Sequence, residues 1–228
     1  KVSETWFYRF FEKALAWLDQ TFGTFPWPQI TNVHRIEGGG TEFPMMIMDG
    51  SASEGLIVHE LGHNYVMGIL ANNEWREGWL DEGFTSYQEG LYSEATGGSA
   101  GVAGTERFLL GMQLDGYAEP YSMISNEYRD FTTYNISIYS GGELFLHRLQ
   151  YVVGDSAMKA AIRNYYDQWK LKHVNEDRFR AVVEETSRGI FLAALTTIAG
   201  FGSLATSHYP GLISMGLVSI LGTLTTAL

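Results

Sequence analysis

Two histidines and a glutamate lie within five residues of one another in the segment HELGH, residues 59–63. On a helix, positions four apart share one face at a separation of about 6 Å, so His59 and His63 can bind one tetrahedral zinc ion. Glu60 follows the first histidine directly, so its carboxylate flanks such a site and can act as a general base on a water at the metal. A catalytic zinc site takes a third protein ligand from elsewhere. Because the chain has no cysteine, a carboxylate is the available type.

The residues around this motif help to decide whether the histidines bind a metal. The alternative is a pair of solvent-exposed histidines on an amphipathic helix. Apolar side chains surround the motif, namely Ile57, Val58, Leu61, Tyr65, Val66, Ile69 and Leu70. This pattern favours partly buried histidines, whose ring nitrogens a metal ion would satisfy.

Residues 59–87 resemble the zinc core of the gluzincin aminopeptidases, the aminopeptidase N-like family. That family places a glutamate eighteen residues after the HExxH motif, within a Trp-Leu-Asn-Glu-Gly-like segment. Here eighteen residues separate His63 from Glu82, and Asp81 occupies the position where asparagine is common. The resemblance implies one zinc ion per chain with the base Glu60 and the ligands His59, His63 and Glu82. Either Asp81 or Asn64 could support a ligand from outside the coordination sphere.

Residues 38–44, Gly-Gly-Gly-Thr-Glu-Phe-Pro, resemble the Gly-x-Met-Glu-Asn segment of the same family in its bacterial variant, with Thr41 in place of methionine. In the family this edge strand pairs with the substrate backbone, and its glutamate binds the free α-amino group. The resemblance therefore implies that Glu42, Gly39 and Gly40 bind substrate. The residues alone leave open that Glu42 is a solvated turn residue.

A third similarity lies in Tyr-Ser-Gly-Gly, residues 139–142, which resembles the family's Tyr-x-Lys-Gly segment with Gly141 in place of lysine. The family's tyrosine hydroxyl stabilises the tetrahedral intermediate, which implies that Tyr139 is catalytic. The chain has 13 tyrosines, and Tyr134 is a nearby competitor for this role.

Composition limits the classes of function. The formal net charge of -11 argues against a nucleic-acid partner, which requires a basic face. The absence of cysteine excludes disulfides and thiolate metal sites. The amphipathic first 17 residues contain no uninterrupted apolar core, so no signal peptide is predicted.

Hydrophobic periodicity predicts a mostly α (α+β) chain with a small mixed sheet. The resemblance implies a thermolysin-like zinc peptidase catalytic domain. Helices are predicted over residues 3–22, 53–70, 80–95, 105–115, 135–153, 155–170 and 175–187, and strands over 30–36 and 44–48.

The composition changes after Arg188. Residues 189–228 contain no Asp, Glu, Lys or Arg and are interrupted by the turn-like Ser-His-Tyr-Pro-Gly at 207–211. Each half has about 17 residues, the short end of what spans a bilayer. We therefore predict a truncated catalytic domain over 1–188, followed by a hydrophobic α-helical hairpin over 189–228. The hairpin is predicted to be transmembrane rather than a buried pair of helices.

The hydrophobic hairpin also resembles a membrane segment of resistance-nodulation-division and MMPL-type exporters, whose helices carry a similar Thr-Thr-x-x-Gly-Phe pattern followed by a proline-containing turn. This resemblance implies either a fusion or a joined reading frame. It would place the protein in the cell envelope or at a membrane if the hairpin is authentic, and otherwise in solution.

The predicted function is zinc-dependent hydrolysis of peptide bonds by an aminopeptidase. The expected partners are peptide or protein substrates with a free N-terminus, with a possible membrane contact through residues 189–228. One alternative is a membrane transporter fragment carrying a passenger peptidase domain, although a transporter needs many more spans than one hairpin. Another is a non-catalytic zinc-binding module, which would have no need of Glu60.

Overall fold

The computed structural model of this chain describes residues 4–205 together with 214–215 and 218–219. The α-helices are α1 (Glu4–Thr21), α2 (Glu54–Leu70), α3 (Glu82–Ala95), α4 (Val102–Leu114), α5 (Phe131–Asn135), α6 (Gly142–Val153), α7 (Asp155–Trp169) and α8 (Glu176–Ala205). The strands are β1 (Thr31–His34), β2 (Gly40–Thr41) and β3 (Met46–Asp49). The short 3₁₀ turns are Gly78–Leu80 and Ser125–Glu127. The predicted mostly helical fold with a small mixed sheet is confirmed.

The chain divides into two compact units. The first comprises residues 1–148 and 166–176, and the second comprises residues 149–165 and 177–228. All the candidate site residues belong to the first unit. Within the second unit, the Tyr165 and Phe179 rings meet edge to face with centroids 5.2 Å apart.

Helix α2 lies in the core of the first unit. A helix that is apolar on nearly all sides is usually buried in the core. Most residues of α2 are buried. Phe22 contacts Tyr65 of α2 and Phe84 of α3, with ring centroids 5.7 and 6.0 Å apart. This aromatic packing fixes α2 against α3 and so sets the two histidines opposite the start of α3.

The sheet has the strand order β1-β3-β2, with β1 parallel and β2 antiparallel to β3. Gly39, directly before β2, adopts a φ of 78°, a conformation that favours glycine. The edge strand β2 passes so close to α2 that a Cβ on Gly40 would collide with the Glu60 carboxylate. Of the three consecutive glycines, Gly40 is therefore the one required by close packing against α2.

The region predicted as one helix over residues 135–153 is instead composed of α5, a π-helical segment over Ile136–Gly141, and α6. A Cβ on Gly83 of α3 would lie 2.7 Å from the Gly142 Cα, so two glycines allow the backbones to meet here. Such π-helical insertions are frequent at functional sites. This one carries Tyr139.

The last helix was predicted to end at residue 187, which is wrong. Helix α8 continues without a break to Ala205, since the alanines and leucines after Arg188 have high helix propensity and no proline interrupts residues 189–205. In the described part of the chain, no helix combines the length and apolarity needed to cross a membrane. The second arm of the predicted hairpin, within residues 206–228, lies almost entirely outside the described residues.

Candidate metal centre and active site

The three predicted metal ligands converge. Helix α2 presents His59 and His63 one turn apart, with their Nε2 atoms 3.1 Å from each other. Glu82, the first residue of α3, places Oε2 at 3.3 Å from the Nε2 of His59 and 3.1 Å from that of His63. Two imidazole nitrogens and one carboxylate oxygen are ligands that zinc accepts, and three protein ligands leave a coordination position open.

The outer ring nitrogens show that these histidines are oriented for a metal. The Nδ1 of His63 donates to Asp81 Oδ1 at 2.6 Å, and the Nδ1 of His59 donates to Glu89 Oε2 at 2.8 Å. A proton held on Nδ1 leaves the lone pair of Nε2 directed at the shared centre. The donor set therefore fits a zinc ion.

Of the two residues predicted as possible supports, Asp81 contacts a ligand and Asn64 does not. The Asn64 Oδ1 accepts a hydrogen bond from the Met45 backbone N–H at 2.8 Å, and its Nδ2 donates to the Glu60 carbonyl at 3.3 Å. Asn64 thus joins the start of β3 to α2.

The sequence interpretation missed Glu89. It lies seven residues after Glu82, which is two turns further along α3 on the same face. That spacing is a weak signal, because any two side chains on one face of a helix share it.

Carboxylates also control protonation of the ligand histidines. Burial lowers the pKa of His59, but hydrogen bonds to Glu82 and Glu89 outweigh burial and raise this pKa to about 9. Burial likewise opposes protonation of His63, yet Asp81 and Glu82 raise its pKa above the usual value. A metal ion must displace these protons, so its binding depends on pH.

Glu60 lies beside the ligands without joining them. Its side chain is on the buried part of α2, at 4% exposure. Burial raises the pKa of Glu60 to about 7, and neighbouring positive charge on the histidines opposes this rise. A carboxyl group that titrates near neutrality can both accept and return a proton.

Tyr139 stacks on the ligand His59. The two rings are nearly parallel, at 4°, with centroids 6.0 Å apart. Burial and the hydrogen bond to Glu82 raise the pKa of Tyr139 well above its usual value, so the hydroxyl remains a donor. Tyr134, the competitor, meets Tyr139 edge to face with centroids 6.4 Å apart.

Glu42 lies in a cavity of about 470 Å³ that also borders the ligand Glu82. The other lining residues are Glu74, Trp75, Asp81, Ser125, Tyr128, Asp130, Phe131 and Tyr134. Glu42 and Glu82 therefore face the same space.

The carbonyls of the two predicted glycine contacts already accept hydrogen bonds within the chain. The Gly39 carbonyl accepts from the Gly50 N–H at 2.9 Å, and the Gly40 carbonyl accepts from Arg35 Nη1 at 2.9 Å. Their predicted contact with substrate backbone stays a prediction.

A second cavity of about 500 Å³ is lined in part by Tyr139. Its lining includes Val58, Ser86, Glu89, Tyr139 and Glu143. Two cavities therefore adjoin the metal centre. One is lined by Glu42 and Glu82, and the other by Glu89 and Tyr139.

Two histidines and a glutamate around one centre, with a buried glutamate beside them, form a metal site of the HExxH type. The chain belongs to peptidase family M1. The family model described as "Peptidase family M1 domain" matches residues 45–199. The match contains all three ligands, Glu60 and Tyr139, and it ends beyond the predicted boundary at residue 188.

Curated relatives support the family assignment. Aminopeptidase B of Homo sapiens is 26% identical over 200 residues, which cover 79% of this chain and 30% of that protein. Leucine aminopeptidase 2 of Sclerotinia sclerotiorum is 24% identical over 148 residues, covering 61% of this chain and 24% of that protein. The chain thus spans less than a third of the length of the curated relatives it matches.

Solved structures share the fold. The M1 zinc metallopeptidase from Deinococcus radiodurans superimposes with a TM-score of 0.64 at 22% identity, covering 82% of this chain and 43% of that one. Leukotriene A4 hydrolase from Saccharomyces cerevisiae gives a TM-score of 0.60 at 21% identity, covering 78% of this chain and 31% of that one. These similarities lend no support to the predicted exporter segment or to the transporter alternative.

Proposed function

We propose that this chain is the catalytic part of a zinc aminopeptidase, which hydrolyses the peptide bond after the first residue of a peptide with a free N-terminus. The observation that carries the proposal is the convergence of His59, His63 and Glu82, with both outer ring nitrogens held by carboxylates. The names of the relatives, an aminopeptidase B and a leucine aminopeptidase 2, agree with this activity.

Zinc bound to the three ligands would polarise the scissile carbonyl and acidify a water molecule. Glu60 takes the proton from the attacking water and passes it to the departing amine. Its pKa of about 7 suits both transfers, because the group changes protonation state readily near neutral pH.

Tyr139 is the proposed donor to the oxygen that gains negative charge. Its ring lies against His59, which places the phenol beside the ligand set. A hydroxyl that stays protonated at neutral pH can donate to a developing oxyanion.

Glu42 gives the proposed reaction its exopeptidase character. Its carboxylate lies in the cavity that borders Glu82, where it can pair with the N-terminal ammonium of the substrate. A substrate with a blocked N-terminus would leave this carboxylate without a partner, which costs binding free energy. Gly39 and Gly40 are proposed to contact the substrate backbone from the edge of the sheet.

The proposal is tested by comparing zinc content and hydrolysis of L-alanyl-4-nitroanilide for the full chain and its Glu60→Gln variant. Because Glu60 is not a ligand, the variant should keep about one zinc per chain. Loss of the general base should lower kcat by about 10²- to 10⁴-fold. Glu127→Gln, an exposed carboxylate outside the cavity lining, is the matched control and should behave like the parent.

Two results would contradict this assignment. Equal hydrolysis by the zinc-loaded parent and the Glu60→Gln variant would exclude Glu60 as the base. A zinc-loaded parent that binds peptides but never hydrolyses them would instead favour the non-catalytic binding module.

A further inference from the structure

The short strand β2 lies directly against the proposed general base. It consists of Gly40 and Thr41 alone, and a Cβ on Gly40 would overlap the Glu60 carboxylate. Glu42, the proposed partner of the substrate ammonium, follows β2 directly. The position of this one strand therefore affects two groups of the proposed reaction.

Backbone pairing alone gives β2 little support. Its register with β3 covers two residue pairs, Gly40 with Asp49 and Thr41 with Met48. Strands in globular proteins usually have roughly 3 to 10 residues. A strand as short as β2 therefore depends on side-chain contacts to keep one fixed position.

The side chain of Arg35 supplies such contacts. Its Nη1 donates to the Gly40 carbonyl at 2.9 Å and to the Thr41 hydroxyl oxygen at 2.8 Å. The same hydroxyl donates to the Gly40 carbonyl at 2.7 Å. Hydrogen bonds from a charged guanidinium are stronger than those between neutral groups. These three hydrogen bonds, the Arg35 clamp, thus hold both residues of β2.

The backbone of Arg35 is itself fixed to the sheet. Arg35 directly follows β1, and its N–H donates to the Asp49 carbonyl of β3 at 3.0 Å. The Nδ1 of His34 lies 3.1 Å from the same carbonyl. Asp49 is 1% exposed. The Arg35 clamp therefore joins β2 to a buried part of the sheet.

The guanidinium has one further neighbour, which is a weak partner. The Glu37 Oε2 lies 3.9 Å from Arg35 Nε, and the Glu37 side chain is 74% exposed. An exposed ion pair of this kind contributes little to stability. Among the described residues, Arg35 Nε has no hydrogen-bond partner. Arg35 is thus held mainly by its contacts with β2, and Glu37 offers a matched control.

We propose that Arg35 is a positioning residue, which fixes β2 beside Glu60 and thereby sets the substrate in register with the metal centre. The inference rests on the proposed aminopeptidase function, because β2 is proposed to contact the substrate backbone. Arg35 acts through Gly40 and Thr41 and is given no contact with the substrate. A misplacement of about 1 Å in a reacting group can cost about 100-fold in rate, so a small shift of β2 is enough to slow hydrolysis.

The test compares kinetics and inhibitor binding for the zinc-loaded full chain and its variants. Hydrolysis of L-alanyl-4-nitroanilide gives kcat and KM. L-alanine hydroxamate binds zinc and carries an ammonium group, whereas propionohydroxamate has hydrogen in place of the ammonium. The variants are Arg35→Met, Arg35→Lys, Thr41→Val, Thr41→Ser, Glu37→Gln and the double variant Arg35→Met/Thr41→Val.

Arg35→Met removes every donor of the clamp. We expect KM to rise and kcat/KM to fall about 10- to 100-fold, with zinc content and propionohydroxamate binding unchanged. L-alanine hydroxamate should weaken about tenfold, because Glu42 directly follows the displaced strand and loses its pairing with the ammonium. Arg35→Lys keeps the positive charge and should recover part of the loss.

Thr41→Val is the milder variant, since valine has the shape of threonine without the hydroxyl. It should lower kcat/KM by about tenfold or less, and Thr41→Ser, which keeps a hydroxyl, should behave like the parent. The double variant should be little worse than Arg35→Met, because both changes remove the same set of hydrogen bonds. Glu37→Gln leaves the clamp intact and should change nothing.

Other outcomes would overturn the inference. Loss of zinc or equal weakening of both inhibitors in Arg35→Met would mean that Arg35 only supports the fold. The same conclusion would follow from a lower kcat with an unchanged KM, because loss of folded protein acts in this way. Full additivity in the double variant would mean that Arg35 and Thr41 act separately. Unchanged kinetics in Arg35→Met, or an equal loss in Glu37→Gln, would remove the clamp from the reaction.

Inhibitor binding does not require turnover, so the two proposals can fail separately. A parent that binds both inhibitors without hydrolysis would refute the proposed function. The ratio of the two dissociation constants would then decide on Arg35, and an unchanged ratio in Arg35→Met would refute its role. A zinc-loaded parent that binds neither inhibitor would refute the active site, and the role of Arg35 with it.

Discussion

The metal centre and the cavity beside it are built in different ways. His63 and Asp81 of the centre are each 1% exposed and lie on or beside α2 and α3. At the cavity, Trp75 and Phe131 are 58% and 76% exposed, and short turns supply most of the lining. The centre is thus complete within two packed helices, whereas the cavity depends on turns held by a few hydrogen bonds.

This difference separates two properties of the chain. Metal binding should depend on groups inside the first unit alone, because the Nδ1 atoms of both histidines have their carboxylate partners there. Recognition of the substrate should be more sensitive to the state of the turns. Two measurements of zinc affinity test whether the metal centre behaves as an independent site. The first is expected to show the larger change in affinity.

Zinc affinity should fall steeply as the pH is lowered. The pKa of His59 is raised to about 9, and that of His63 is also raised, so below these pKa values zinc must displace up to two protons. The apparent association constant should therefore fall by about tenfold to a hundredfold per pH unit between pH 8 and pH 6. Competition with a chromophoric chelator at several pH values measures this slope, and a flat profile would contradict the proposed ligands.

Replacing Glu89 should have a smaller effect on zinc affinity. Glu89→Gln removes the carboxylate that holds the Nδ1 of His59, which should weaken zinc about 10- to 100-fold because the imidazole loses orientation and basicity. The same chelator competition checks this. Glu143→Gln is the control, because this carboxylate lines the same cavity but accepts a hydrogen bond from Thr105. Equal losses in both variants would mean that the effect is not specific to His59.

The metal centre was largely predictable from the sequence, because helical spacing alone brings His59 and His63 together and the resemblance pointed to Glu82. The cavity was not. Glu74 comes from a turn without periodicity, and its proximity to Glu42 depends on contacts between segments far apart in the chain. The π-helical segment around Tyr139 was also missed, since its apolar pattern matches that of an ordinary helix.

In the C-terminal region, the sequence predicted a helix end that the structure does not have. The loss of charge after Arg188 was interpreted as following the end of a helix at residue 187, but α8 continues past this position without a break. A change in side-chain polarity alters what surrounds a helix and leaves its backbone hydrogen bonds unaffected. Charge composition alone therefore could not locate the end of this helix.

The central claim is that the folded chain binds one catalytic metal ion through His59, His63 and Glu82. Elemental analysis of the purified full chain, beside a His63→Ala variant whose fold is checked by circular dichroism, tests it most directly. We expect about one zinc per parent chain and almost none in the variant, because three ligands are the minimum for such a site. A folded parent that binds no zinc, or a variant that binds as much as the parent, would contradict the claim.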